Sequence, residues 1–268
     1  SSLAHNVFAP WLTYRIRAQR VLETVRGVHE GVVLGGAWDL SQRLRIMHRG
    51  WDAAVLIAKD SYEASLADYS SAYVAYAPSA YSSVIVGDYS VDEGLGSLSS
   101  RSLRQSKGSN VIGICARAGN GLRPAVSSLP LRLYRGVAAQ STVNVGLALV
   151  RCWGGVSNLP RFGRFDSISG TLRSLDQTGL RRTHNEVEGW RLVHEKSLLG
   201  GIEVQVPRLR ISGAVMKRSY DHPIAITSNG EPELASGLLT SLSLYADLSK
   251  AEHLRSEDRS LRLSLIHI

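Results

Sequence analysis

Apolar residues along this chain fall in short runs that alternate with polar positions. The first part differs from the rest. Val21, Val25, Val28 and Val32 stand at i, i+4, i+7 and i+11, which predicts a helix over residues 11–32. The valines weaken that expectation, because β-branching is mildly unfavourable in helices. An extended arm is the alternative for residues 12–17.

From residue 34 onward, strands are predicted over residues 43–48, 53–58, 72–77, 83–86, 111–115, 131–134 and 143–152. Further ones are expected at 190–194, 202–206, 208–215, 224–226 and 238–245, and from 260 onward. Turn signals separate nearly all of them: Ala77-Pro78-Ser79, Asn120-Gly121, Gly154-Gly155, Asn158-Leu159-Pro160, Asp221-His222-Pro223 and Ser228-Asn229-Gly230-Glu231-Pro232. Many short strands with frequent punctuation predict an all-β, antiparallel sandwich or barrel. Residues 87–110 and 161–188 are polar and read as long loops.

Composition narrows the class. With 268 residues, 44% hydrophobic and 20% charged, the chain is globular, as one large domain or two small ones. The longest apolar runs, such as residues 53–58, are a few residues, so no stretch is expected to span a bilayer and none reads as a secretory signal. Cys115 and Cys152 cannot make a disulfide framework or a four-cysteine zinc site. The chain opens Ser1-Ser2-Leu3, so it is read as processed or as a fragment. Serine, leucine and arginine, each with six codons, are jointly abundant, which hints at weak compositional selection.

The final six residues, Leu263-Ser264-Leu265-Ile266-His267-Ile268, are what the DNA string CTG TCT CTT ATA CAC ATC encodes. That string resembles the transposase mosaic-end adapter of sequencing libraries. Residues 263–268 are therefore expected to be translated adapter, with a normal closing strand as the alternative.

Catalytic constellations are missing from the sequence. There is no G-x-x-x-x-G-K-S/T phosphate loop, no H-E-x-x-H, no dinucleotide fingerprint at Gly119-Asn120-Gly121 and no G-x-S-x-G elbow. No N-x-S/T acceptor occurs, which fits an intracellular product. Cys115 and Cys152 lie in apolar strand candidates and are expected to be buried small hydrophobes. His184, His194, His222 and His253 could partner a thiol only through folding, and nothing selects one. Asp88, Asp92 and Glu93 could ligate calcium, but read better as a solvated acidic loop. No catalytic residue, metal or cofactor is assigned.

Charge is the remaining signal. Of 31 basic residues, 26 are arginine, the net charge is +8, and the isoelectric point is near 9.7. Arginine-rich basicity favours a polyanionic partner. Arg15, Arg17, Arg20 and Arg26 form the one tight cluster and are the candidate RNA-facing residues, a solvated helix face being the alternative.

Two stretches resemble the picornavirus-like capsid proteins. Met47-His48-Arg49-Gly50-Trp51 leads into Ala53–Ala58 and then Ala72-Tyr73-Val74-Ala75-Tyr76-Ala77-Pro78, similar in order to that family's C-to-D strand region. Leu133-Tyr134-Arg135-Gly136 echoes the first motif. Ile202-Glu203-Val204-Gln205-Val206-Pro207 and Ser256-Glu257-Asp258-Arg259-Ser260-Leu261-Arg262-Leu263 are similar to its later strands. The aromatic usual after Val-Pro is replaced by Arg208, and the middle, residues 79–200, has no convincing match beyond that echo and is longer than expected.

The resemblance implies an eight-stranded jelly-roll domain over residues 39–262, preceded by a helical or extended arm over 1–38. The domain could be parts of two jelly rolls with a break near 120. The implied protein is a non-enzymatic capsid subunit that self-associates, encloses genomic RNA non-specifically, and resides in the virion and, during assembly, the host cytoplasm. It would take no small-molecule substrate and have no membrane span. A viral movement or nucleocapsid protein that binds nucleic acid without forming a shell is the alternative, and a cysteine hydrolase a third.

Overall fold

The computed structural model describes residues 10–23, 26–65, 67, 69–92, 121–127, 133–166, 170–175, 180–189, 191–207, 209–228, 231–235, 238–248 and 261–267. Cys115, Glu93, His253 and the strand expected at 111–115 lie outside the described residues.

The fold is all-β and antiparallel. Five strands follow one another at the start: β1 (Trp11–Arg20), β2 (Trp38–His48), β3 (Trp51–Lys59), β4 (Tyr69–Ser79) and β5 (Ser82–Asp92). Then come β6 (Gly121–Pro124), β7 (Tyr134–Val145), β8 (Ala148–Phe165), β9 (Leu172–Leu175), β10 (Arg191–Val206) and β11 (Leu209–Tyr220). The chain closes with β12 (Ile224–Ser228), β13 (Glu231–Ala235), β14 (Leu238–Leu248) and β15 (Leu261–His267). Among the described residues two short helices interrupt them, α1 (Arg26–His29) and α2 (His184–Gly189).

The ladder order is β1-β2-β3-β4-β5-β7-β8-β10-β11-β14-β15 in one sheet. It is a meander of chain neighbours, with β6, β9, β12 and β13 as side branches. The described residues form fifteen strands where eight were expected, and among them the ladder order is a meander without the crossovers that define a jelly roll. Strands on either side of residue 120 share the sheet, since β5 pairs with both β6 and β7.

Several local expectations change for identifiable reasons. Residues 11–20 form a strand paired along its whole length with β2, because alternation there (Leu12, Tyr14, Ile16, Ala18) overrides the later valine spacing. The predicted strand 143–152 folds back on itself at Gly146-Leu147, where Gly146 takes a left-handed φ of 59°. Gly154-Gly155 and Asn158–Pro160 lie inside β8 rather than in turns. Gly155 belongs there because a Cβ would sit 2.8 Å from the Tyr89 hydroxyl. The polar stretch 161–188 contains the end of β8, then β9 and α2, and is no single loop.

The sheet curls strongly. Leu34 N–H donates to Arg182 O at 2.8 Å, Val33 bridges Thr183, and Arg181 N–H donates to Glu63 Oε1 at 3.1 Å. These contacts join the β1–β2 and β3–β4 loops to the segment before β10, six places along the sheet from β2. The concave side holds the core: Ala54, Leu56, Tyr73, Ile85, Tyr89, Tyr134, Ala138, Leu199 and Met216.

Candidate functional site

Two rows of ladder partners define the surface chemistry. One runs Leu12–Ile46–Ala53–Val74–Val86–Val137–Val156–Leu198–Lys217 across nine strands. Eight of its nine members are apolar. The row one residue along each strand runs Thr13–Arg45–Ala54–Tyr73–Gly87–Gly136–Ser157–Ser197–Arg218. Successive side chains on a strand point to opposite faces. The first row is therefore aliphatic, and the row on the opposite face mixes small, polar and charged groups.

The outward row is open to the surface, although the concave side holds an apolar core. Val86, Val137, Val156 and Leu198 are 54%, 46%, 52% and 57% exposed. Val55, Ile57, Val74, Val84, Val143, Val145, Ile202, Ile211 and Val215 share their outward side and are also exposed. Asp88 and Glu195 are almost completely buried, with Ser71, Ser90, Ser157, Ser197, Glu203 and Ser212. Glu195 and Glu203 lie on the concave side, whereas Asp88 and its ladder partner Arg135 stand two residues from Val86 and Val137, in step with the aliphatic row. Soluble proteins rarely leave a contiguous apolar patch this broad open to water.

The buried charges are matched. Arg135 forks onto Asp88, Nε to Oδ1 at 2.6 Å and a terminal nitrogen to Oδ2 at 2.8 Å, while Ser71 Oγ donates to Oδ2 at 2.6 Å. Asp88 forms part of the wholly buried stretch Asp88–Asp92, which follows Gly87 at a left-handed φ of 103°. Hydrogen bonding to Asp88 holds Arg135 above its ordinary value. Glu195 stands between Arg161 (2.6 Å) and Arg218 (3.2 Å) and accepts from the Tyr220 hydroxyl. Glu203 lies 3.7 Å from Arg151 and 3.9 Å from Arg210. Asp52 pairs with Arg45 through two bonds and accepts from Tyr73. Burial, first, and then the nearby Asp88 charge push the Tyr69 hydroxyl up to about 12.

Aromatic rings mark the ends of the aliphatic face. Trp51 and Tyr76, direct ladder partners, sit with centroids 4.7 Å apart beside one end of β3, with Tyr81 exposed on the next turn. At the other end of β2, Arg20 lies over the Trp38 ring at 5.7 Å. The Gln42 amide, a polar group on this face, accepts from the Tyr14 hydroxyl.

The sequence-derived residues are dispersed. Arg15 and Arg17 lie on the charged side of β1, Arg20 on the aliphatic side, and Arg26 in α1 pairs with Glu30 at 2.6 Å. Cys152 is exposed, contrary to expectation, because its ladder partners are Ser141 and Ile202 on the aliphatic side. Asp88 and Asp92 belong to a buried strand and not to a solvated acidic loop. Among the described residues no cluster of His, Cys, Asp and Glu could hold a metal ion, and no helix is long and apolar enough to cross a membrane. The sequence reading missed Glu195 and Glu203, and gave Asp88 a place in a solvated loop instead of in a buried ion pair. Their signal was a lone acid placed at period two among apolar or small residues.

No protein-family model, curated protein or solved structure matches the chain.

Proposed function

We propose that this chain forms the wall of a membrane-spanning β-barrel, with its aliphatic face in hydrocarbon and its charged face toward an enclosed polar interior. The observation that carries this reading is the pair of adjacent ladder rows, aliphatic and largely exposed on one side, small, polar and in part ion-paired on the other. A lipid-facing strand alternates apolar-out and polar-in, and hydrocarbon covers an outer belt that would be unfavourable in water. Strands must supply such a wall when no helix can, because they satisfy the backbone by pairing.

Dimensions agree. The strands β1 to β5 have 10, 11, 9, 11 and 11 residues, and a tilted membrane strand needs about 9–11. On β8 the outward series runs from Ala148 to Asn158. It covers about 33 Å along the strand, which a tilt of about 40° reduces to roughly 25 Å, the height of the apolar band in such barrels. The rings at its ends suit the boundary between lipid and water.

A jelly-roll capsid subunit is the second reading. It draws on the motif resemblance, and subunit contacts could also cover an apolar face. It needs strand crossovers that the meander order does not supply, and it gives no reason for charge pairs on the concave side.

Single outward arginines separate the two. Val86→Arg, Val137→Arg and Val156→Arg are expected to lower stability in bilayers by about 2–4 kcal/mol each. Liposome flotation of the folded chain, with urea unfolding in lipid, provides the readout. A soluble or shell-forming protein would tolerate the same changes within about 0.5 kcal/mol before assembly. Folding in water without detergent, and failure to float, would overturn the membrane reading.

A further inference from the structure

The charged side of the β1–β2 hairpin carries guanidinium groups without carboxylates to match them. Arg15 lies directly opposite Arg43 in the ladder, and Arg17 lies opposite Ser41 two residues along. These positions share the side of Thr13 and Arg45, where the ion pairs are. Elsewhere on that side Arg45 has Asp52, Arg161 and Arg218 share Glu195, and Arg151 and Arg210 share Glu203. Among the described residues, Arg15 and Arg43 have no carboxylate within 4.0 Å. Arg17 donates to Gln19 Oε1 at 2.6 Å. Asp39, the nearest acid by position on this side, is the ladder partner of Gln19 and forms no ion pair. Arg43 also faces the Tyr73 hydroxyl, which donates to Asp52.

Like charges placed directly opposite each other in a ladder destabilise it. A wall that satisfies its other charges so fully leaves this repulsion for a third body to relieve. Three planar forks within one hairpin suit a group with several acceptor oxygens and more than one negative charge. Arginines lining a polar interior are also how anion pathways are built. We propose that Arg15, Arg17 and Arg43 form a binding site for phosphate-type oxyanions borne by small solutes. The setting of this site in a lumen rests on the membrane reading. Its anion chemistry belongs to the hairpin alone.

The test uses the full chain folded in detergent, with inorganic phosphate and pyrophosphate as probes. Isothermal titration calorimetry should show saturable pyrophosphate binding, and pyrophosphate should raise the melting temperature. The double variant Arg15→Gln/Arg43→Gln should bind at least about tenfold more weakly, as loss of charged hydrogen bonds requires. Without anion it should melt higher than the parent, because the repulsion is gone. Arg20→Gln, on the opposite face, should bind like the parent. Arg15→Lys keeps the charge without the fork, and should retain part of the affinity.

Absence of saturable binding by the parent overturns the site, as does equal binding by the double variant. A short RNA that binds far more tightly than pyrophosphate, through the same arginines, overturns the small-solute class in favour of nucleic acid. Liposome flotation of the same sample separates the two proposals. Flotation without pyrophosphate binding sinks this site alone, while binding without flotation sinks the membrane reading and leaves the site standing.

Discussion

Glu195 holds one nearly buried guanidinium (Arg161), one partly buried (Arg218) and a tyrosine hydroxyl, so its charge cannot be removed without stranding others. Glu195→Gln is expected to cost about 3–5 kcal/mol, the penalty for leaving buried charge uncompensated. Urea unfolding of the detergent-folded chain measures it. Replacing Glu195, Arg161 and Arg218 together with methionine should cost far less, because no ion is left behind. Gly201 offers a second residue-scale test. A Cβ there would meet the Trp153 ring at 2.4 Å, so Gly201→Ala should destabilise by about 1–3 kcal/mol through overpacking. Lack of any effect would mean the ring has room to swing away.

The strands differ in how firmly they are held. The β8–β10 ladder runs for fifteen paired positions, from Gln205↔Leu149 to Arg191↔Gly163, with β7 and β11 on its flanks. At one end of the described order, β1 has a ladder on one side only, and its residues are exposed. Hydrogen exchange should therefore be slowest in β8 and β10 and fastest in β1, with mass spectrometry of peptides as the readout. Equal protection throughout would mean that β1 gains a partner on its other side. At this scale much of the fold was legible in the sequence. Alternation at 53–58 and 72–77 correctly placed β3 and β4. Which face turned outward was not legible, because period two shows that two faces differ but not which solvent each meets. Ala54, Leu56 and Ala58 face the core while Val55 and Ile57 face out, and nothing in either triplet states that. Arg15 and Arg17, like Arg43 and Arg45, stood at a spacing of two, a strand signal obscured by the valine periodicity that followed. The acids at the ion pairs were invisible individually, since each partner lies on another strand, from 7 residues away (Arg45 and Asp52) to 47 and more (Arg135 and Asp88, Arg151 and Glu203).

Several buried phenols tie the whole molecule to pH. Burial raises Tyr69, up to about 12, and also raises Tyr73, Tyr89 and Tyr220. Unfolded tyrosines titrate near 10. The folded chain thus holds more protons than the unfolded one above that point. The stability they contribute is fully present below about pH 10 and is lost as pH rises through the folded values. Tyrosinate absorbance should therefore appear cooperatively with loss of tryptophan fluorescence order, rather than gradually from pH 10. The meander order has a further consequence, for the route by which the molecule is made. Because nearly every ladder joins neighbours along the chain, each hairpin can zip onto the last with little loop-closure entropy. Growth can proceed outward from β8 and β10 in small steps, with no long-range search until late. The slow event is then the seam, where loops from the early and late strands meet at Val33 and Thr183 and the curvature becomes permanent.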